Sequence, residues 1–272
     1  MSRAVCRSRA SLKAKNKETT VRGSAHGTRS LARGVVVAAI AAEYVPALAT
    51  LGQWSAMEVL PRAWCRWRAP ADQPRVAITF DDGPHPVATP AVLDRLDTLG
   101  LRATFFPLAS LVERDPGMVA EIVRRGHVVG THGFHHEHHL LRSPGWVRRD
   151  LAAAAAAMAK VGIQPRWYRP AYGQVTGATL LAARRAGLET VLWSAWGREW
   201  ATADAASVAR RISRRLEPGA IVLLHDNDAF GPKGMWRTAL EALDLVAAEL
   251  DRRGLGAATL DELVAARPDA LI

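Results

Sequence analysis

From residue 75 onward, short apolar or β-branched runs alternate with longer stretches of helical periodicity. That alternation confines the chain to repeated βα units on a mostly parallel sheet. Strands are predicted over residues 75–80, 103–107, 127–130, 167–169, 189–193, 220–225 and 256–259. Helices are predicted over 89–99, 116–125, 144–161, 177–186, 203–216 and 236–253, with a short last one from Asp261. The alanine run 152–157 falls inside one of these helices, where small side chains permit close packing. Seven strands in strict alternation favour an α/β fold of distorted (β/α)7 barrel-like form over an open doubly wound sheet. No glycine-rich phosphate loop follows the first strand, which argues against a nucleotide-binding fold. A chain of 272 residues holds one large domain of this kind with a short appendage.

The net charge of +10 is unevenly placed. Residues 1–34 carry nine Lys/Arg and one acid, which leaves 27 basic against 25 acidic residues in the rest. The body is nearly neutral and shows no basic stripe interleaved with aromatics, so no nucleic-acid partner is expected. After the basic segment come the apolar run 34–42, then Glu43, Pro46 and the triplet Ala47-Leu48-Ala49. This order matches a secretory signal with cleavage after Ala49. An uncleaved anchor, tethering the chain to a membrane through residues 35–51, is the rival reading, although Glu43 and Pro46 interrupt the span. An amphipathic extension or a misassigned start is the third. The expected organisation is a leader over 1–49, a linker over 50–73 and a catalytic domain over 74–267, working as a monomer outside the cytoplasm. Cys6 and Cys65 imply no disulfide framework.

Residues able to do chemistry stand just after successive predicted strands. Asp81 and Asp82 follow the first, His132 and His136 the third, Arg169 the fourth and Glu199 the fifth, and His225 ends the sixth. Strand ends of a parallel barrel converge on one face, so these residues would meet. In His132-Gly133-Phe134-His135-His136 the two imidazoles stand four apart and can reach one ion. An adjacent aspartate would complete a two-histidine, one-carboxylate site suited to zinc, and other divalent ions tolerate the same set. The second aspartate would then be free to act as general base. Read alone, the histidine-rich loop also fits a solvated turn, and the paired aspartates before Gly83-Pro84 also fit a capped turn.

The segments TFDDGPHP, HGFHH, RPAYG, REW and LLHD, in that order, resemble the five motifs of the polysaccharide deacetylases, carbohydrate esterase family four. The resemblance covers about residues 74 to 266 and implies a distorted barrel of parallel strands. It implies that Asp81 is the general base, that Asp82, His132 and His136 are the metal ligands, and that His225 is the general acid. It further implies that Arg169 orients the base, and that the backbone N–H of Tyr172 helps to stabilise the oxyanion. Leu223 and Trp200 would line the pocket for the acetyl methyl. Three positions depart from the pattern. Gly133 stands where Ser or Thr is usual, which removes a hydroxyl that would buttress the metal loop. Ala171 replaces a proline, and Glu199 stands in place of the aspartate that tethers the acid histidine. Trp196 and Trp200 would form either a sugar-stacking wall or part of the core.

The implied activity is metal-dependent removal of N-acetyl groups from an amino-sugar polymer, peptidoglycan or a chitin-like glycan of N-acetylglucosamine. A lipid-linked sugar or another non-peptide amide is the alternative substrate. A non-catalytic glycan-binding protein is the alternative of another class, and the full set of ligands with the acid–base pair speaks against it.

Overall fold

The structure is a computed structural model, which describes Val35, Ala38, Glu43 and residues 64–264. The chain divides into two compact units, residues 1–40 and 41–272. In the first, Val35 and Ala38 are helical. The expected cleavage site, the anchor span apart from these two residues and Glu43, and Cys6 lie outside the described residues. No helix among the described residues is long and apolar enough to cross a membrane.

The second unit begins its regular structure with β1 (Arg75–Asp81), followed by α1 (Ala88–Leu99), β2 (Thr104–Phe106), α2 (Ala109–Val112), α3 (Pro116–Arg124) and β3 (Val128–Val129). Then come α4 (Pro144–Lys160), β4 (Trp167–Tyr168), α5 (Gly177–Arg185), β5 (Glu189–Thr190) and β6 (Ala195–Trp196). The remainder is α6 (Ala205–Ser213), β7 (Ile221–His225), α7 (Met235–Arg253), β8 (Gly256–Ala258) and α8 (Leu260–Leu263). Local chemistry sets several boundaries. Ser143 caps α4 and Asp115 caps α3, each followed by a proline at the first turn, and a Thr176–Thr179 capping box starts α5. Gly100 ends α1 with φ 63°, a left-handed conformation that glycine takes without a steric penalty.

One sheet runs in the order β3-β2-β1-β7-β6, with β8 added to the start of β1. β4 and β5 form a second pair, and a bridge between Thr131 and Tyr168 links it to the end of β3. All these pairings are parallel. The strands thus follow the barrel-like course expected, without regular pairing between β5 and β6.

The alternation of side chains across β1 and β7 decides what the site contains. Val76, Ile78 and Phe80 join Val222 and Leu224 in the main core, packed against α1, α3, α6 and α7. Each such fully buried side chain stabilises the fold by roughly 1.5–3 kcal/mol. The residues between them face the other way: Ala77 and Ile221 enter a second cluster with Phe106, Trp167 and Val191. Asp81, Leu223 and His225 lie on that same inner side, above the cluster. A slip of one residue in β1 would exchange Phe80 with Asp81 and destroy both core and site.

One expectation needs correction. The predicted strand 189–193 ends early, and a separate β6 lies in what was read as a loop. The chain changes partners there: Leu192 donates its N–H to Arg66 O at 2.7 Å, whereas Ser194 donates to Ile221 O at 2.9 Å, which delivers Ala195 to β7. Residues 64–73, the described part of the segment read as linker, pack against the fold. Cys65 and Ala69 are buried, Arg66 pairs beside Val191, and Ala69 donates to Gly219 O at 2.8 Å.

Candidate active site

β1 carries Asp81 in register with Phe106 of β2 on one side and His225 of β7 on the other. The next residue, Asp82, has φ 76°, an uncommon conformation for a non-glycine residue. Contacts from the end of β7 hold it there: Asn227 Nδ2 donates to Asp82 O at 2.8 Å. Gly83 lies so close to the Asp226 carboxylate that a Cβ would stand 2.4 Å from its Oδ2, so this turn requires glycine. Thr89 in turn donates its hydroxyl to Asp226 Oδ2 at 2.5 Å.

The loop after β3 brings both histidines to Asp82. Asp82 Oδ1 is 3.4 Å from His132 Nε2 and 3.3 Å from His136 Nε2. This oxygen is buried and has no hydrogen-bond donor. One oxygen and two nitrogens so arranged, all within 4.8 Å of one another, fit a divalent ion. The protonation states agree with that fit. Burial, reinforced by neighbouring positive groups, holds His132 well below its ordinary pKa, and His136 is pushed down to about 3, so both imidazoles are neutral. Burial raises Asp82 to about 7, against the pull of His225, and a cation would reverse that shift.

Arg169, fully buried after β4, donates from Nη1 to Asp81 Oδ1 and to Thr79 Oγ1, both at 2.7 Å, and from Nη2 to Leu192 O at 2.9 Å. Burial raises the pKa of Asp81 and Arg169 opposes the rise, so the pair keeps a water-excluded carboxylate ionisable.

On the far side His225 places Nδ1 2.8 Å from Glu199 Oε1 and Nε2 4.0 Å from Asp82 Oδ2. Burial alone would lower the pKa of His225. The charge and hydrogen bond of Glu199, with Asp82 and Asp81, outweigh it and carry His225 up to about 9. Glu199 thus lies within hydrogen-bonding distance of His225.

A cavity of about 410 Å³ opens over these groups. Leu223, Trp200 and Trp196 line it, as does Tyr172, which sits in a tight turn with φ 58°. The Tyr172 ring is half-exposed and stacks on His138 with 3.6 Å between centroids. Trp193, Trp196 and Trp200 form a continuous row, with centroids 5.6 and 5.0 Å apart, and Trp200 stands edge-on to His225. The two tryptophans whose role was open thus face the cavity. Sequence reasoning missed Trp193, Phe230 and Met235, which complete the wall. Phe230 and Met235 flank a Gly-Pro loop, and only its fold over His136, with 4.0 Å between the Phe230 and His136 rings, gives them a role.

Residues 68–191 match the family model for polysaccharide deacetylase. A peptidoglycan-N-acetylglucosamine deacetylase of Bacillus cereus is 33% identical over 210 residues, covering 76% of this chain and 96% of the relative. The chain belongs to the polysaccharide deacetylase family. A chitooligosaccharide deacetylase of a Bradyrhizobium species is 34% identical over 196 residues, 69% of this chain and 90% of the relative. Among solved structures, a peptidoglycan N-acetylglucosamine deacetylase in complex with an N-hydroxybenzamide derivative superposes with a TM-score of 0.70 at 27% identity. That match covers 76% of this chain and 98% of the other. The polysaccharide deacetylase model ends before Glu199 and His225, so the pairing of these two rests on the 2.8 Å contact itself.

Proposed function

We propose that this chain is a metal-dependent hydrolase that removes N-acetyl groups from an amino-sugar polymer, peptidoglycan or another N-acetylglucosamine glycan, outside the cytoplasm. The observation that carries the proposal is the placement of the Asp82–His132–His136 cluster between two tuned groups, Asp81 on Arg169 and His225 on Glu199. Similarity to deacetylases of peptidoglycan and of chitooligosaccharides supports the substrate class.

Asp82 Oδ1, His132 Nε2 and His136 Nε2 would hold the ion, and their nitrogen-rich donor set suits zinc. When bound, such an ion would supply Lewis-acid polarisation of the carbonyl and a lowered pKa for the attacking water. Asp81 takes the proton of that water as its oxygen bonds to the acetyl carbon. Arg169 fixes the carboxylate by its bond to Oδ1, which leaves Oδ2 for the proton. The Tyr172 backbone N–H stabilises the negative oxygen that develops on the carbonyl. His225 gives its proton to the sugar nitrogen as the C–N bond breaks, and Glu199 holds Nδ1 so that Nε2 faces the site. Leu223 and Trp200 receive the methyl group, and the products are acetate and a free amine.

Acetate release by the full chain from peptidoglycan and N-acetylglucosamine oligomers tests the proposal. Release should stop with a chelator and in Asp81→Asn and His132→Ala. Release that survives the chelator and both substitutions would overturn it.

A further inference from the structure

The carboxylate of Asp150 takes no part in the chemistry above, yet it lies directly behind the histidine loop. It projects from the second turn of α4, among Val147, Leu151 and Ala154 on the helix's buried face, and is itself buried. Its Oδ2 accepts from Phe134 N–H at 3.0 Å and its Oδ1 from His135 N–H at 3.1 Å. The same Oδ1 lies 2.7 Å from His135 Nδ1. One carboxylate thus holds two of the three peptide N–H groups between His132 and His136.

The rest of the loop is pinned at its start. His132 donates to Pro107 O and Ala109 to Gly133 O, both at 2.9 Å. Asp150 supplies the second anchor, on the helix side. A buried carboxylate is costly unless its charge is met by donors, so any loop conformation that withdraws these N–H groups is penalised. Gly133 makes the approach possible: with φ 89°, a Cβ there would stand 3.0 Å from Asp150 Oδ2. The position that lacks a buttressing hydroxyl is therefore the one that lets this carboxylate come close.

We propose that Asp150 is a positioning residue that fixes the His132–His136 loop for metal capture, in place of the hydroxyl that Gly133 lacks. This rests on the metal-dependent reading above. His135 acts here through its peptide N–H, its side chain being largely solvent-exposed.

The test uses the full chain stripped of metal, titrated with zinc against a chromophoric chelator, with the melting temperature of the metal-free protein measured alongside. Asp150→Asn and Asp150→Ala should weaken zinc binding by about 10- to 100-fold, the effect of losing a group that orients a metal ligand. His135→Ala should stay within about fivefold of wild type, the reach of an exposed ion pair. If Asp150→Ala fails to fold, Asp150→Glu keeps the charge and displaces it by one methylene, and the same weakening is expected. A folded Asp150 variant that melts lower but binds zinc as wild type does would make the residue mere scaffold and overturn the proposal. Wild-type protein that takes up no zinc would overturn the metal reading and this inference together.

Discussion

Arg169 and Asp81 meet at 2.7 Å in a place that solvent does not reach, and the same guanidinium also ties Thr79 and the carbonyl of Leu192. Asp81 is therefore fixed by an arginine that spans β1 and the segment after β5. Removing one partner of a buried ion pair costs about 3–5 kcal/mol, because the other charge is left uncompensated. Arg169→Met should destabilise the protein by that amount in urea unfolding. It should also remove most of kcat/KM, since a buried carboxyl without its cation holds its proton and no longer serves as base. Unchanged stability would show that Asp81 is not held as an anion.

In the proposed mechanism His225 must be protonated to act as an acid, so activity should fall as pH rises through its pKa of about 9. Glu199→Gln keeps a partner for Nδ1 but removes the charge that offsets burial. The alkaline limb of the kcat profile should move to lower pH, and His225→Ala should lose about 10²- to 10⁴-fold in kcat. An alkaline limb that stays in place in Glu199→Gln would exclude His225 as the group reported.

Metal addition should stabilise the fold through the same three ligands. At a free zinc concentration 100 times its Kd, linkage gives about 2.7 kcal/mol, read as a rise in melting temperature. Asp82→Ala should show little of this rise at the same zinc concentration, and chelation should return the wild type to the metal-free value.

Phe230 covers His136 with one face of its ring and remains half-exposed on the rim of the cavity. A sugar unit beside the one deacetylated would rest on that surface. Phe230→Ala should lower kcat/KM for N-acetylglucosamine oligomers by about 2- to 12-fold, the range of an aromatic contact, and leave the monosaccharide unaffected. Equal losses on both substrates would assign the ring to the support of His136 instead.

Two buried histidines away from the ligands make stability depend on acid. Burial lowers the pKa of His127, and its Nδ1 accepts from Ala103 N–H at 3.1 Å, which requires a neutral ring. Burial likewise lowers His139 to about 4. Both bind a proton more weakly in the folded protein than in the unfolded chain, which takes up protons below about pH 6.5. Their contribution is complete above that pH and is lost as pH falls below it, down to about 4 for His139, with a slope of about 1.4 kcal/mol per pH unit for each proton. Urea unfolding between pH 7.5 and 4.5 should give a shallower decline for His127→Gln than for wild type.

The strands that build the site were legible because β1 and β7 are continuous apolar runs, buried on both faces, that end on polar residues. Asp81, Asp82, His132, His136, Arg169 and His225 stood out for the same reason, as reactive side chains at strand ends. β6 was not legible, since two residues carry no periodicity and their pairing depends on where Leu192 and Ser194 find acceptors. Asp150 and Asn227 were hidden because each acts on the backbone of another segment, 15 or 16 positions away for Asp150 and 145 for Asn227. Nothing in their own neighbourhood announces it. Phe230 and Met235 needed the course of the loop between β7 and α7.

The register that sets Asp81 opposite His225 separates two kinds of change open to this protein. The two residues proposed as base and acid stand on adjacent strands, and their backbones keep the interstrand spacing of about 4.8 Å whatever the loops above them do. Residues 228–234, beyond the contacts by which Asp226 and Asn227 hold the turn at Asp82, could then be exchanged to admit a different glycan while these two side chains keep their places. Retargeting such an enzyme is a problem of its rim, whereas its chemistry is inherited with the ladder.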